Sequence, residues 1–107
     1  MGSNMSENEK ISLKEQVAML PMSPGCYLFE NSKGEVIYVG KAKHLRNRVR
    51  SYFVESRDHS AKVRVMVRQI VSMRHIVVDS EMDALLLENS LIKTLQPRYN
   101  KIGRAHV

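Results

Sequence analysis

Two kinds of side chain near the middle of the sequence could act together on a phosphate group. Tyr38 stands near the end of a short β-prone run, two residues before Gly40. Arg46, Arg48 and Arg50 follow at a spacing of two in a segment with helical periodicity. A guanidinium group matches the geometry of phosphate oxygens. A tyrosine on a strand beside a cationic helix therefore indicates a site that handles phosphate.

Glu88 is the acidic residue whose position is hardest to explain by solubility. On a helix surface its neighbours would be apolar residues such as Ala84, Leu85 and Ile92. A carboxylate within an apolar stripe needs a compensating charge. Two interpretations stay open here: a salt bridge to a lysine or arginine at the edge of the core, or a metal ligand.

Composition limits the chain to one small domain with one core, since it has 107 residues. The net charge of +6 favours a polyanionic partner without establishing one. The single cysteine, Cys26, excludes an intrachain disulfide and a zinc site built from cysteines. We expect Cys26 to be a small core residue. No stretch approaches the roughly 18 apolar residues of a membrane span.

Hydrophobic periodicity and capping signals predict six elements. They are a helix that starts after Ser12 and ends at Pro21, a hairpin of strands 26–30 and 36–40, a helix from about 45 to 53, a helix over 61–73, a strand over 75–79, and a helix that starts after Ser80 and is stopped by Pro97.

This order of elements predicts an α+β domain, a small sheet with helices packed on it. Both faces of the second hairpin strand are apolar, so we expect that strand to be the central one, covered on both sides. There are no internal repeats and no linker long enough to separate a second domain.

Several short motifs in the chain resemble one nuclease family. Gly25-Cys26-Tyr27 and Tyr38-Val39-Gly40 resemble the paired signatures of the GIY-YIG nucleases. The block from Gly40 to Phe53, together with Glu88 and the closing Pro97-Arg98-Tyr99-Asn100, is most similar to the N-terminal domain of the bacterial excinuclease subunit UvrC. The resemblance runs from about residue 20 to residue 100. It implies a three-stranded, mostly antiparallel sheet flanked by helices.

The resemblance also implies roles for individual residues. Tyr38 would be the general base, Arg48 would hold the scissile phosphate, and Glu88 would bind Mg²⁺, with Mn²⁺ as a substitute. Further residues would line the site, support it or bind DNA. The lining residues are Tyr27, Lys41 and Tyr52; the supporting residues are Gly40 and Asn100; the DNA-binding residues are Lys43, Arg46 and Arg50.

For Tyr38 to act as a base, its pKa must fall from the usual value of about 10. We expect the positive charges of Lys41 and Arg48 to favour the phenolate and to lower this pKa. On the helix itself, Arg48 would lie beside the inward stripe, whereas Arg46 and Arg50 would point towards solvent.

The function implied by the resemblance is metal-dependent DNA incision by water, 3′ to a lesion, in nucleotide excision repair. The partners would be damaged double-stranded DNA and UvrB, with UvrA acting upstream, in the cytoplasm. Two alternatives stay open. One is another structure-specific or homing endonuclease module of the GIY-YIG family, and the other is a catalytically silent DNA-binding domain.

Met1-Gly2-Ser3-Asn4 resembles an expression scar, residues 5–11 are polar, and Gly103 to Val107 do not resemble the usual continuation of the family. Residues 1–11 are expected to be a tag remnant followed by a disordered segment, and residues 103–107 a tail of possible vector origin. The endonuclease domain would then occupy residues 12–102.

Overall fold

The computed structural model describes residues 12–54 and 59–102. In chain order, the elements are α1 (Leu13–Ala18), β1 (Gly25–Glu30), β2 (Val36–Ala42), α2 (Leu45–Arg50), α3 (Ala61–Gln69), β3 (Ser72–Val77), α4 (Glu81–Leu95) and α5 (Arg98–Ile102). The predicted α+β class is confirmed: three antiparallel strands are flanked by helices.

The strand order is β2-β1-β3, so the central strand is β1 and the expectation that β2 is central is wrong. All six residues of β1 are buried, because it has a strand on each side and helices on both faces. β2 is also packed against helices on both faces but lies at an edge. Apolar residues on both faces of a strand report the helices above and below it, and carry no information about its neighbours within the sheet.

The hairpin turn follows the signal in the sequence. Asn31 accepts a backbone hydrogen bond from Gly34, and its side-chain oxygen accepts from the backbone of Lys33 and Glu35. Gly34 has φ of +80°, a left-handed conformation that a residue without Cβ adopts readily. The turn brings β2 back along β1, with a bulge beside Glu30.

The sheet separates two packed layers. Tyr27 and Phe29 of β1 join the main hydrophobic core with Leu45 and Val49 of α2 and Met66 of α3. On the opposite face, the thiol of Cys26 donates a hydrogen bond to the Ala84 carbonyl of α4 at 3.3 Å. The thiol is fully buried, as predicted for a core cysteine.

A side-chain amide covers part of each outer edge of the sheet. At the β2 edge, Asn100 of α5 accepts from the Val39 N–H and donates to the Val39 carbonyl, both at 2.9 Å. At the β3 edge, the side-chain oxygen of Gln16 in α1 accepts from the Met73 N–H at 3.2 Å. Both amides satisfy backbone groups that an edge strand would otherwise offer to water.

Helix boundaries agree with the capping signals at the N-termini. Ser12, Ser60 and Ser80 each accept a backbone hydrogen bond at the start of a helix, and Ser12 forms the predicted capping box with Glu15.

The predicted helix over 61–73 is too long. α3 ends at Gln69, Ile70 is extended, and β3 already begins at Ser72. Pairing with β1 decides this boundary: Ser72 and Met73 pair with Glu30 and Phe29. Apolar periodicity does not register such tertiary pairing.

The short helix α5 was not predicted. α4 ends at Leu95, and Gln96 then takes a left-handed conformation with φ of 51°. Pro97 disfavours helical geometry at the residue before it and suits the start of the next helix. The predicted end of the helix at Pro97 is thus the point where the chain turns from α4 into α5.

Some expectations fall outside the described residues. These are the tag remnant and disordered segment over 1–11, part of the loop over 54–60, and the tail over 103–107. Within the described residues, no helix is both long and apolar enough to cross a membrane.

Candidate active site

Three tyrosine rings and one guanidinium group meet on the core side of the sheet. The hydroxyls of Tyr27 and Tyr52 are 2.7 Å apart, within hydrogen-bonding distance, and Arg48 Nη2 donates to the Tyr52 hydroxyl at 3.4 Å. The ring of Tyr38 has its centroid 6.3 Å from that of Tyr27 and 6.3 Å from that of Tyr52. The structure thus brings together four residues that the sequence assigned to one site.

Each of these side chains is held by a different element. Tyr27 comes from the central strand and Tyr38 from the edge strand β2, on the same face. Arg48 in α2 and Tyr52 after its end are four residues apart, so they lie on neighbouring turns. The guanidinium carbon of Arg48 is 5.2 Å from the centroid of the Tyr52 ring, which fixes the orientation of the exposed cation.

Gly40 is required by the approach of Tyr27. A Cβ atom at position 40 would overlap the hydroxyl and the ring of Tyr27, which pairs with Gly40 across β1 and β2. Any larger residue would displace the Tyr27 hydroxyl from Tyr52. Gly40 therefore supports the site by leaving room for it.

Burial raises the pKa of all three tyrosines, which corrects the expectation for Tyr38. Desolvation is the largest cause in each case, because it disfavours the charged phenolate. The pKa of Tyr27 is raised to about 12. For Tyr38, the charge of Arg48 lowers the pKa, but desolvation, the Tyr52 hydroxyl and the charge of Glu88 outweigh it. The predicted net lowering of the Tyr38 pKa is wrong for the protein alone.

Glu88 of α4 is half-buried, and it is close enough to Tyr38 and to Cys26 to raise both pKa values through its negative charge. Among the residues described by the structure, Glu88 forms no salt bridge. The interpretation as a structural ion pair is therefore not supported there.

The stripe around Glu88 is also less buried than expected. Leu85 is 36% exposed and Leu95 42% exposed, and Ala84 is the buried residue of α4. Water can therefore reach the Glu88 carboxylate, which needs no buried counter-charge.

The residues present fit a hard divalent cation bound mainly by water and substrate. No cluster of three or more histidine, cysteine or acidic side chains with metal-binding geometry occurs within residues 12–54 and 59–102. A half-buried carboxylate without an ion pair in these segments is a suitable single protein ligand for Mg²⁺, which commonly keeps several water ligands. Glu88 is the residue that would hold it.

The remaining predicted cations differ in their surroundings. Lys41 and Arg50 are exposed, and Lys43 Nζ lies 3.8 Å from Glu81 at the surface. Arg46 is half-buried, and its Nε donates to the Leu20 carbonyl at 2.7 Å. The expectation that Arg46 points to solvent is therefore wrong, because it links α2 to the segment after α1.

Asn100 lies beside the site as a brace. Its two hydrogen bonds hold Val39, the residue between Tyr38 and Gly40. The amide is buried, and its position depends on the unpredicted helix α5.

A cleft of about 290 Å³ opens over Tyr38, Arg48 and Tyr52. His59, Ser60 and Lys62, at the start of α3, also line it. None of these three residues is assigned to the site from the sequence: His59 is expected to be structural or exposed, and Ser60 and Lys62 carry no motif. Their position beside Tyr38 depends on tertiary packing, which no local signal contains.

Comparisons with known proteins agree with this geometry. Residues 23–101 match the family model for the UvrC-like GIY-YIG domain. The protein named UvrABC system protein C from Symbiobacterium thermophilum is 56% identical over 90 residues, which are 84% of this chain and 14% of that protein. Its counterpart from Clostridium kluyveri is 60% identical over 87 residues, 81% of this chain and 14% of that protein. The chain thus spans about one seventh of the length of these relatives.

A solved structure gives the same result. The GIY-YIG N-terminal endonuclease domain of UvrC from Thermotoga maritima, bound to its catalytic divalent cation magnesium, is 37% identical. The match has a TM-score of 0.72 and covers 89% of this chain and 98% of that chain. A point variant of the same domain, also bound to its catalytic divalent cation, matches equally well, with a TM-score of 0.72. The chain therefore belongs to the family of UvrC-like GIY-YIG domains.

Proposed function

We propose that this chain is a metal-dependent DNA endonuclease domain that cleaves a phosphodiester by water attack. The observation that carries the proposal is the grouping of Tyr38, Arg48 and Tyr52 in one cleft, with the Glu88 carboxylate close enough to act electrostatically on Tyr38 and in no ion pair within the described part of the chain. The Thermotoga maritima relative, an endonuclease domain, supports the same assignment.

Arg48 is the proposed ligand of the scissile phosphate. It is exposed in the cleft, and its contacts with Tyr52 leave further guanidinium N–H groups for phosphate oxygens. Its positive charge would offset the negative charge that develops on the phosphate during attack. Tyr27 and Tyr52 would keep Arg48 and Tyr38 in position through the 2.7 Å contact between their hydroxyls.

Mg²⁺ is the proposed cofactor, with Mn²⁺ as a substitute, and Glu88 is its proposed ligand. When bound, such a cation supplies stabilisation of negative charge on the phosphate and on the leaving oxygen, and favours the phenolate at nearby Tyr38. The magnesium ion named for the relative supports this choice.

Tyr38 is the proposed general base. Its phenolate oxygen would accept a proton from water while the water oxygen bonds to phosphorus and one P–O ester bond breaks. Since burial keeps the hydroxyl protonated near neutral pH, only a small fraction of the protein alone is ready to react. Lys41, which directly follows Gly40 in β2, is the remaining proposed participant. It would contact phosphate near the end of the strand.

In the longer protein, this domain would make the incision 3′ to a lesion in nucleotide excision repair. The relatives are named for the UvrABC system. We accordingly propose damaged double-stranded DNA as the substrate, UvrB as the partner with UvrA acting upstream, and the cytoplasm as the location. The segment 12–102 would be the endonuclease domain, and Lys43 and Arg50 would contact DNA outside the cleft.

Arg46 is the weakest of the proposed DNA contacts. Its hydrogen bond to the Leu20 carbonyl occupies one of its donors in a structural link. Other donors of the same guanidinium group remain for DNA.

A lesion-bearing duplex tests the function directly. The full-length protein that carries this domain is combined with UvrA, UvrB, ATP and Mg²⁺, and the products are mapped on a sequencing gel. We expect a cut on the 3′ side of the lesion that disappears on chelation of the metal and returns with Mn²⁺. Full 3′ cleavage in the presence of chelator would contradict a metal-dependent reaction.

A further inference from the structure

One wall of the cleft over Tyr38 is formed by residues that have no part in the proposed reaction. This wall is the start of α3, where Lys62 occupies the first turn of the helix. Lys62 lines the same cleft as Arg48, although the two residues come from different helices. Val63 and Met66 of the same helix give the wall an apolar base.

Among the residues that the structure describes, the fixed charges lining this cleft are positive. Arg48 and Lys62 are fixed cations, and no aspartate or glutamate is among the described lining residues. The Lys62 side chain is exposed, and it has no hydrogen bond or salt bridge to the rest of the described chain. The lysine is therefore available to an anionic ligand that enters beside Arg48.

The stability of α3 does not account for a lysine at this position. The first turn of α3 contains no acidic residue. A cation in the first turn is slightly unfavourable, because it faces the positive end of the helix dipole. A carboxylate at position 62 would stabilise the helix better, so helix stability gives no reason for the positive charge, whereas an anionic ligand in the cleft would give one.

We propose that Lys62 is a substrate-binding residue that holds a phosphate next to the scissile one on the same DNA strand. The inference rests on the proposed nuclease function and adds a second point of attachment to it. Arg48 and Lys62 would then hold two successive phosphates from the two helices α2 and α3. A strand held at two phosphates has a defined direction across Tyr38, whereas one phosphate alone could rotate.

The first test measures DNA binding by this chain with and without the Lys62 charge. Lys62→Gln is compared with Lys33→Gln, which removes an exposed lysine from the hairpin turn, outside the cleft. Fluorescence anisotropy is recorded over a series of salt concentrations. We expect Lys62→Gln to reduce the slope of log affinity against log salt by about 0.9 and affinity by roughly eightfold at 0.1 M salt. Identical slopes for Lys62→Gln and Lys33→Gln would overturn the proposal.

The second test locates the contact along the strand. The full-length protein with its partners cleaves duplexes in which one phosphate beside the cut is replaced by an uncharged methylphosphonate. At one flanking position we expect the wild-type kcat/KM to fall about tenfold and Lys62→Gln to show no further loss, since the contact is already absent. If Lys62→Gln lowers kcat/KM by the same further factor wherever the methylphosphonate stands, the proposed contact of Lys62 with one flanking phosphate is overturned.

The two proposals fail in different ways. A wild-type protein that never cuts DNA removes the nuclease function, yet the salt series still decides whether Lys62 binds phosphate. A thermal melting curve of Lys62→Gln that matches the wild type shows that any loss of binding comes from the missing charge.

Discussion

At the scale of single residues, the burial of the tyrosine hydroxyls sets the conditions under which Tyr38 can act. Tyr38, Tyr27 and Tyr52 all hold their protons more tightly than an exposed tyrosine. A raised pKa makes the phenolate rarer and also more basic once it forms. If Tyr38 is the general base, the burial that keeps its hydroxyl protonated in the protein alone would also favour proton uptake from water once the phenolate has formed.

Tyr38→Phe separates this role from a packing role. The substitution keeps the ring and removes the hydroxyl. If the hydroxyl accepts the proton, cleavage should fall by roughly 10² to 10⁴ while melting and DNA binding change little. If it only forms a hydrogen bond, stability should fall by about 1 kcal/mol and turnover should persist. Initial rates and a urea unfolding curve distinguish the two.

The pH profile is the control for Tyr38. Because the pKa is raised, wild-type cleavage should increase with pH from neutral towards alkaline conditions, by up to about tenfold per pH unit below that pKa. The residual activity of Tyr38→Phe should lose this dependence. A variant that cleaves at the wild-type rate would end the general-base assignment and leave Arg48 and Glu88 untouched.

Glu88→Gln tests the metal ligand. The change is nearly isosteric and removes one charge, so we expect cleavage to fall by about 10² or more with the fold and DNA affinity retained. Glu81→Gln on the same helix is the matched control, since Glu81 is exposed and its ion pair with Lys43 across 3.8 Å lies at the surface. Binding of Mn²⁺, followed by electron paramagnetic resonance, should weaken for Glu88→Gln and stay unchanged for Glu81→Gln.

Two outcomes would go against the Glu88 assignment. Nicking by Glu88→Gln at close to the wild-type rate would exclude Glu88 as a necessary ligand. A large fall in melting temperature would indicate that the carboxylate stabilises the fold through an ion pair.

At the scale of elements, the reversal at Gln96 and Pro97 connects the two halves of the site. α4 carries Glu88, and α5 returns directly from the reversal to place Asn100 on Val39. The edge strand with Tyr38 is thus held by the same chain segment that positions the carboxylate. Loosening of α5 should disturb Tyr38, the proposed proton acceptor, together with Glu88, the proposed metal ligand.

Asn100→Ala tests this connection. The substitution leaves the Val39 N–H and carbonyl without their side-chain partner, and we expect a loss of about 2 kcal/mol or more in the free energy of unfolding. Asn89→Ala, an exposed position on α4, is the matched control and should change stability by less than about 0.5 kcal/mol. Urea denaturation measures both. Equal stability of the two variants would contradict the bracing role.

Sequence patterns predict those elements whose signals are local. Ser12 and Ser80 cap helices as expected, because a serine hydroxyl and the backbone three residues on form the whole signal. α5 has five residues, too few for any periodicity, and the pattern marks only the end at Pro97. The boundary at Gln69 and the central position of β1 depend on pairing between distant strands, which no window of sequence contains.

The candidate site divides in the same way. The residue types and spacings draw attention to Tyr38, to the arginines of α2 and to Glu88, and the resemblance to the family gives Tyr38, Arg48 and Glu88 their expected roles. The direction in which the Tyr38 pKa shifts depends on how deeply the folded protein buries the hydroxyl. Arg46 turns inward because its guanidinium group donates to the Leu20 carbonyl, which belongs to a distant segment of the chain. Lys62 lines the cleft because α3 packs beside the site, and no sequence motif marks that packing.

At the scale of the whole molecule, positive charge is in excess, and most lysines and arginines of the described segments form no salt bridge. The net charge is +6, and the described residues contain two salt bridges, one of them fully at the surface. Such a surface attracts polyanions over distances of about a Debye length, roughly 8 Å in physiological salt. It provides attraction to DNA in general and little information about its sequence.

Binding by the isolated chain should therefore be weak and insensitive to sequence. We expect a Kd in the range of about 10⁻⁴ to 10⁻⁶ M at physiological salt, rising steeply as salt is added. Anisotropy with two duplexes of unrelated sequence provides the measurement. Tight binding to one sequence that persists at high salt would favour the homing-endonuclease alternative.

The amides of Asn100 and Gln16, one on each outer edge of the sheet, limit what this domain can join. A fourth strand that added to β2 or β3 in full register would have to displace an amide from Val39 or from Met73. Strand addition is a common route both to peptide capture and to aggregation through unpaired edges. The domain should therefore assemble with its neighbours through helix faces and loops, and its three strands should remain three within any larger protein.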